Sequence, residues 1–398
     1  PPLISTMVSS SAASDVYKRQ VQLIDGETDK HLWQDTFEGD LKNVLLLRAE
    51  VTRAIADKIR VVVTPQEQAA MADAPIVNPE AYDHYLRGLH FLKQFNPEST
   101  ARAEKSFQRS LDIDPGFAPA WGGLAIANFA RGMWVGGNED WRAILPEVER
   151  SARRALALDE REVNAHVALS GVDFAFNWRW EEAERRYRLA IEIDPNHEMA
   201  RVLLSNLLNW LGRLDEAEFQ AREAMRLAPT SAWAVNELVF VFQSQGRSDE
   251  AWELALRALE LDPHYVQSLM FYAPDMVRRG RVEDGLAMAD EALRLCPKSS
   301  FAVLFAADAY ASAGQPERAD ELIGGLVARS KTEFVPPGDL FRCYLIKGNM
   351  PLALDYLEQA YEARDPRMVM MLQMSKIPAL AAEPRFQEVL RRMDFPED

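Results

Sequence analysis

Apolar and polar positions follow two different rules along the chain. Between positions 21 and 75 they alternate or cluster in short runs, as strands do. From Asn78 onward they recur at three- and four-residue spacing, the mark of helices with one buried face. In the first stretch VQLID (Val21 to Asp25) and HLWQDTF (His31 to Phe37) flank five turn-forming residues, GETDK, which predicts a β-hairpin. Asp40 stands where it can cap a helix with apolar positions Leu41, Val44, Leu45, Val51, Ile55 and Ile59. Val61 to Val63 predict a short buried strand, ended by Thr64-Pro65. Two or three strands and one helix cannot bury both faces of a sheet, so residues 21–75 read as the end of a larger α/β unit. Residues 1–20, PPLISTMVSSSAASDVYKRQ, show neither period and lack the apolar core of a secretory signal. They are expected to be a non-native or disordered leader.

The helical stretch repeats. Pro195, Pro229, Pro263 and Pro297 stand 34 residues apart, and Ala217, Ala251, Gly285, Ala319 and Ala353 keep the same interval. Each period reads as two helices. In one, Leu204, Ser205 and Leu208 fill the packing face of the first helix and Ala217, Ala221 and Ala224 that of the second; the next repeats this with Leu238, Val239, Phe242, Ala251, Ala255 and Ala258. Small residues recur because the paired helices approach closely there. Looser copies run through Ala103 and Phe107, through Trp121, Leu124 and Ala125, through Leu169, Ala183, Tyr187 and Ala190, and on to Phe341, Tyr344, Leu357 and Ala360. About eight units are expected between Asn78 and Asp365, followed by a helical cap between Met368 and Met393.

This period and residue logic resembles the tetratricopeptide repeat (TPR), two helices closed by a proline. The predicted fold class is an all-α superhelical solenoid of TPRs, preceded by a small α/β fragment. The expected boundaries are a leader over 1–20, the α/β fragment over 21–75, the repeats over 76–366 and the cap over 367–398. The segment QLIDGETDKHLWQDTFEGDLKNVLLLRAEVTRAIADKI resembles the end of a TolB-like α/β domain. NWRWEEAERRYRLAIEIDPNHEMA, LGRLDEAEFQAREAMRLAP and AAEPRFQEVLRRMDFP resemble the repeat half of bacterial regulators of that TolB-like/TPR type. In those proteins the repeats follow a winged-helix domain, a class III adenylate cyclase or a protein kinase. The resemblance implies an output domain N-terminal to Val21, while SSSAASDVYKRQ resembles translated sequencing-adapter read-through. It implies a non-catalytic interaction scaffold in bacterial signal transduction or transcriptional regulation, with the regulatory region of a cyclase or kinase as the alternative. A cytoplasmic location is expected, or a periplasmic portion of a membrane-anchored regulator.

Composition narrows the chemistry. The net charge of −16 disfavours binding of nucleic acid, which depends on cations meeting phosphates. No run approaches 18 consecutive apolar residues, so no membrane span is expected. Cys296 and Cys343 exclude a disulfide scaffold and a Cys-rich zinc site, and read as small apolar residues. HExxH, GxSxG and phosphate-loop patterns are absent, and the six histidines are scattered over different repeats. Neither cofactor, metal nor catalytic residue is expected.

A partner surface is expected on the first helix of each repeat. Beside its packing positions runs a second stripe: Met199, Val202, Asn206, Asn209; Trp233, Asn236, Phe240, Gln243; Gln267, Met270, Pro274, Val277; Phe301, Leu304, Asp308, Ala311. Only Asp308 is charged, where roughly four would be charged on an ordinary surface. In the family resembled, this stripe lines the concave groove. The expected partner-binding residues are Val202, Asn206, Asn209, Trp233, Asn236, Phe240, Gln243, Met270 and Val277, holding an extended, largely uncharged peptide or protein segment. Packing of a tightly curled solenoid is the alternative. The Lys/Arg clamp of chaperone-tail-binding TPRs is absent at Val202, Asn206, Asn236, Phe240, Met270 and Pro274. Pro274 is expected to kink its helix. The insertion Arg131 to Trp141 reads as a contact loop or as Trp packing that closes an irregular repeat.

Overall fold

The computed structural model describes residues 3–9, 16–24, 31–40, 78–94, 96–135, 139–375 and 377–395. The chain divides into two compact units, Pro1–Leu86 with Arg109–Phe117, and Arg87–Gln108 with Ala118–Asp398.

The first unit contains an antiparallel sheet of strands β1 (Leu3–Ser9), β2 (Val16–Ile24) and β3 (His31–Asp40), in that order. The expected hairpin is β2–β3, with Val21 opposite Asp35 and Leu23 opposite Trp33, but both strands are longer than expected. Within the stretch read as a leader without strand periodicity, residues 3–9 form a strand and residues 16–20 belong to β2. β1 pairs with β2 from Leu3↔Ile24 to Ser9↔Lys18. The ladder uses backbone groups that any sequence offers, and Ile4, Thr6 and Val8 place β-branched residues at every second position. The helix and strand expected between 41 and 63 lie outside the described residues. In the same unit Tyr85 meets Phe117 edge-on at 5.3 Å, and the Ser110 hydroxyl donates to the Ala81 carbonyl at 2.7 Å.

Helices dominate the rest and fall into eight consecutive pairs among the described residues. They are α1 (Pro79–Leu92) and α2 (Pro97–Ile113); α3 (Ala118–Ala130) and α4 (Trp141–Leu158); α5 (Val163–Val172) and α6 (Trp180–Ile193); α7 (Glu198–Trp210) and α8 (Leu214–Leu227). Then come α9 (Ala232–Ser244) and α10 (Ser248–Leu261); α11 (Val266–Arg278) and α12 (Val282–Leu295); α13 (Ser300–Ser312) and α14 (Pro316–Arg329); α15 (Pro337–Ile346) and α16 (Met350–Glu362). A turn at Pro366–Met370 and the short helices α17 (Met371–Met374), α18 (Pro378–Ala381) and α19 (Pro384–Met393) follow. The architecture is that of a TPR solenoid.

Within the second unit the 34-residue period has a backbone cause. Gly212, Gly246, Gly280, Gly314 and Gly348 end the first helices of successive pairs with φ from 69° to 85°, a region glycine enters without steric cost. The chain then closes back: Arg213 N donates to Leu208 O at 3.0 Å and Arg247 N to Phe242 O at 2.8 Å. Leu204, Leu208, Ala217, Ala221 and Ala224 are fully buried, as their spacing predicts. Ser205 adds a bond from its hydroxyl to Ala217 O at 2.9 Å, tying α7 to α8. Arginines after the turn glycines reach the preceding pair: Arg213 meets Glu184 at 2.6 Å and Arg247 meets Glu218 at 2.8 Å.

Helix α11 runs through Pro274 as one element. A Cβ on Gly285 of α12 would stand 2.7 Å from Ala273 O and 2.6 Å from Val277 Cγ2, so the backbone of α11 comes closer here than an alanine would permit. That explains glycine at a position where the other repeats carry alanine.

The second and third pairs depart from the pattern. π-Helical turns at Arg131–Val135 and Asp173–Asn177 extend α3 and α5. Trp178 follows at φ 54°, a conformation that costs a non-glycine residue about 1–3 kcal/mol unless its surroundings hold it. The surroundings come from the far end of the unit. Tyr361 lies 5.1 Å from Trp178 ring to ring, and the Arg364 guanidinium sits 4.1 Å above the same indole. Trp180 stacks on Phe395 at 4.7 Å and donates to Met393 O at 3.2 Å. Trp141 meets Phe334 edge-on at 5.2 Å and donates to Ala363 O at 3.0 Å. For Trp141 the insertion is therefore packing. Helix α19 buries Phe386, Val389 and Met393 and joins α16 through Arg385 to Glu358 at 2.8 Å and Arg392 to Glu362 at 3.0 Å.

Candidate functional site: a cavity inside the helical unit

The return of the C-terminal segment borders a half-open cavity of about 460 Å³. First helices of consecutive pairs supply most of its wall: Asn206, Asn209 and Trp210 from α7; Phe240, Gln243 and Ser244 from α9; Gln267, Met270 and Phe271 from α11; Phe301 and Phe305 from α13. These sit three or four residues apart, on one face of each helix. Met133 of the first π-turn, Ser299, Arg342 of α15, and Pro366, Arg367, Val369 and Met370 complete it.

One side of the cavity is aromatic. Phe271 meets Phe240 edge-on at 4.8 Å and Phe305 at 4.7 Å, and Phe301 lies 5.1 Å from Phe305. Several amides are already engaged. Trp210 Nε1 donates to Asn206 Oδ1 at 3.1 Å, Gln243 Nε2 to Asp275 Oδ2 at 3.4 Å, and the Tyr265 hydroxyl to Gln267 Oε1 at 2.9 Å. Asn209 Oδ1 is buried without a hydrogen-bond partner.

Two guanidinium groups, of Arg342 and Arg367, also line the cavity. Arg367 is nearly buried and lies 3.4 Å from Asp339 and 3.9 Å from Asp365. Ser300 donates to the Asp339 oxygen that faces Arg367, and Gly338 N donates to Asp365 at 2.7 Å. Burial pushes the Asp365 carboxyl up to about 6, with Arg367 opposing. Arg342 is different. Its Nη1 is buried without a hydrogen-bond partner, and its guanidinium lies 5.4 and 5.3 Å from the centres of Phe301 and Phe305. Burial lowers its proton affinity while Asp339 raises it. A cation–π contact contributes about 0.5–2 kcal/mol, against several kcal/mol for removing an ion from water. The cation is thus incompletely compensated where it meets the cavity.

Of the nine expected partner-binding residues, the cavity gathers Asn206, Asn209, Phe240, Gln243 and Met270. The other four pack. Val202 forms a cluster with Ala224 and Ala234, and the half-buried Trp233 lies against it. Val277 packs with Ala273, Ala289, Ala306 and Ala309. Asn236 is buried, donating to Ser268 Oγ at 3.0 Å and accepting from the Tyr272 hydroxyl. Of the rest of the stripe, Phe301 lines the cavity, Pro274 and Leu304 are buried, and Asp308 is exposed beside Arg278 at 3.3 Å. The expectation of an uncharged groove omitted Arg342 and Arg367. Arg342 was within reach, since 206, 240, 274, 308 and 342 form one 34-residue series; extending the stripe by one repeat finds it. Arg367 belongs to a turn outside the period, and no sequence signal places it.

Other candidate chemistry is structural. Cys296 and Cys343 are buried, and burial pushes their thiols up to about 11 and about 12. Among the described residues no three His, Cys, Asp or Glu side chains group as a metal site, and no helix is long and apolar enough to cross a membrane.

The repeats and their cavity face define the class, a helical-repeat solenoid. No family model matches the chain. A curated relative, "Putative adenylate cyclase 3" of Rhizobium meliloti (strain 1021), is 33% identical over 177 residues, which is 43% of this chain and 29% of the relative. The chain thus spans less than a third of that relative's length. Among solved structures, the APC/C hetero-tetramer Cut9–Hcn1 is similar with a TM-score of 0.52 at 13% identity, covering 89% of this chain and 63% of that one. Yeast Tom70 gives 0.45 at 16% identity, over 88% of this chain and 85% of that one. A thermophilic TPR protein of Thermus thermophilus gives 0.39 at 20% identity, over 48% of this chain and 97% of that one.

Proposed function

We propose that this chain is a non-catalytic interaction scaffold, the TPR sensor half of a larger bacterial signalling or transcriptional regulator. The observation that carries the reading is the cavity. Four consecutive repeats turn Asn206, Phe240, Gln243, Met270 and Phe301 toward one partly apolar space. A repeat array without a recognition role has no need of aromatic and amide groups gathered there. The partner is a protein or peptide segment whose apolar side chain enters the cavity. An output domain N-terminal to Val21 receives the signal.

A second reading has its own support. The likeness to "Putative adenylate cyclase 3" favours a chain that regulates a nucleotide cyclase, with catalysis in a segment N-terminal to these repeats. Both readings place no turnover in residues 21–398. The test is quantitative partner capture from the native host with the wild-type chain and a Phe240→Ala, Met270→Ala double variant of equal folded fraction. Specific partners lost by the variant support the scaffold. Equal retention of every partner contradicts a role for the cavity. The coding sequence upstream of Val21 separates the two readings, since a cyclase segment there selects the second.

A further inference from the structure

We propose that the cavity is a small-molecule site for an aromatic carboxylic acid, a planar apolar body carrying one carboxylate. This goes beyond the scaffold reading and shares its site: a free metabolite-sized acid in the cavity would compete with the side chain of a protein segment. A volume of about 460 Å³ falls within the range of small-molecule pockets, about 300–1,000 Å³. The edge-to-face cluster of Phe240, Phe271, Phe301 and Phe305 offers ring faces and edges to a planar body.

The carboxylate is assigned by Arg342. Its Nη1 lacks a hydrogen-bond partner, and no carboxylate among the described residues lies within ion-pair distance of its guanidinium. Asp339 is the carboxylate that most supports the Arg342 charge, and its Oδ1 has no hydrogen-bond partner, yet it stays beyond ion-pair distance of the guanidinium. Asp339 faces Ser300 and Arg367; Asp365 accepts from Gly338 N and Arg367 N. Asp339 and Asp365 stand behind the wall, while both arginines form part of it, so the charge met by a ligand is positive. A ligand carboxylate would accept from the guanidinium in the forked geometry arginine favours. The residual acceptor Asn209 Oδ1 suits one donor on the ligand body.

The full chain is titrated with 2-naphthoate and 4-biphenylcarboxylate, each against its neutral carboxamide, by calorimetry and by quenching of Trp210 at the cavity wall. The acids are expected to bind about tenfold or more tightly than the amides, the margin of a charge-assisted pair over a neutral one. Arg342→Met should bring each pair within about twofold, while Arg153→Met on the exposed face of α4 keeps the preference. Gln243→Glu, an exposed position on the cavity rim, should weaken the acids severalfold and spare the amides; it provides the reading if Arg342→Met does not fold. Equal binding of acid and amide by the wild type overturns the proposal. So does absence of binding by both acids up to millimolar concentration, or an acid preference untouched by the folded variants. Partner capture is scored with and without saturating acid: displacement of the partner by the acid shows a shared cavity, and capture unaffected by bound acid leaves the acid site standing while contradicting the entry of a partner side chain there.

Discussion

The fourth and fifth helix pairs and the second and third pairs solve the same packing problem with different means. α7 to α10 do it by period: a glycine turn, a ladder of Leu and Ala, and an arginine to the preceding pair. α3 to α6 break the period with two π-helical turns and three tryptophans whose partners lie 183 to 222 residues further on in the contacts of Trp141, Trp178 and Trp180. In the regular region each pair needs only its neighbours. In the irregular region pairs distant in sequence support one another, and that support borders the cavity. Regular repeats therefore provide the wall, and departures from regularity decide what the wall faces.

The largest expected effect comes from cutting one long-range contact. Trp180→Ala removes a nearly buried indole, its stacking on Phe395 and its bond to Met393 O, and should cost about 3–5 kcal/mol by urea denaturation. It should also split the unfolding into two transitions, because the repeats between the contacting ends then report only on their neighbours. A small, single-transition loss would make the two regions equivalent.

A pH effect belongs to the regular region. Burial pushes the Glu237 carboxyl up to about 8, with its Oε1 unpartnered. The folded state thus keeps a proton that the unfolded glutamate loses near 4.5. Between these values the folded chain binds more protons, so stability should fall as pH rises, by at most about 1.4 kcal/mol per pH unit. Glu162, which caps α5 in the irregular region and is pushed up to about 7 by burial, adds the same sign there. Glu237→Gln should make the profile less steep between pH 5 and 8, Glu162 and Asp365 keeping a slope of the same sign below about pH 7, and should raise stability at pH 8. An unchanged slope, measured by urea denaturation across that range, would refute the buried neutral acid.

Two glycine substitutions make the smallest and sharpest pair. Gly285→Ala restores the residue of the other repeats, yet it should destabilise by about 1–3 kcal/mol through overpacking against Ala273 and Val277. Gly324→Ala, in α14 with open space around the added methyl, should stabilise by about 0.5–1 kcal/mol. Thermal melts giving both the same sign would show that α11 and α12 fit no more closely than a standard pair.

The same division explains what the sequence made legible. Spacing placed Leu204, Ala217, Ala251 and the turn prolines because a repeat encodes its contacts within about 34 residues of chain. It brought Asn206, Asn209, Phe240, Gln243 and Met270 to one face for the same reason. Trp233, Val202, Asn236 and Val277 pack outside the cavity, because a stripe at helical spacing does not separate a groove from the seam where adjacent first helices pack. Arg367 and the indoles of Trp178 and Trp180 were illegible, since their partners are set by the closure of the unit. β1, LISTMVS, does not alternate apolar and polar residues, so spacing gave no sign of the strand.

That closure is tested most directly by aromatic proton contacts in a sample with only Trp and Tyr rings protonated. Trp178 and Tyr361, 5.1 Å apart between ring centres, should give cross-peaks as strong as those of Tyr344 and Tyr356, at 5.3 Å within one helix pair. Cross-peaks for both pairs are the predicted result. A clear Tyr344–Tyr356 signal with none between Trp178 and Tyr361 would mean that the unit does not close, and the cavity would be an open groove.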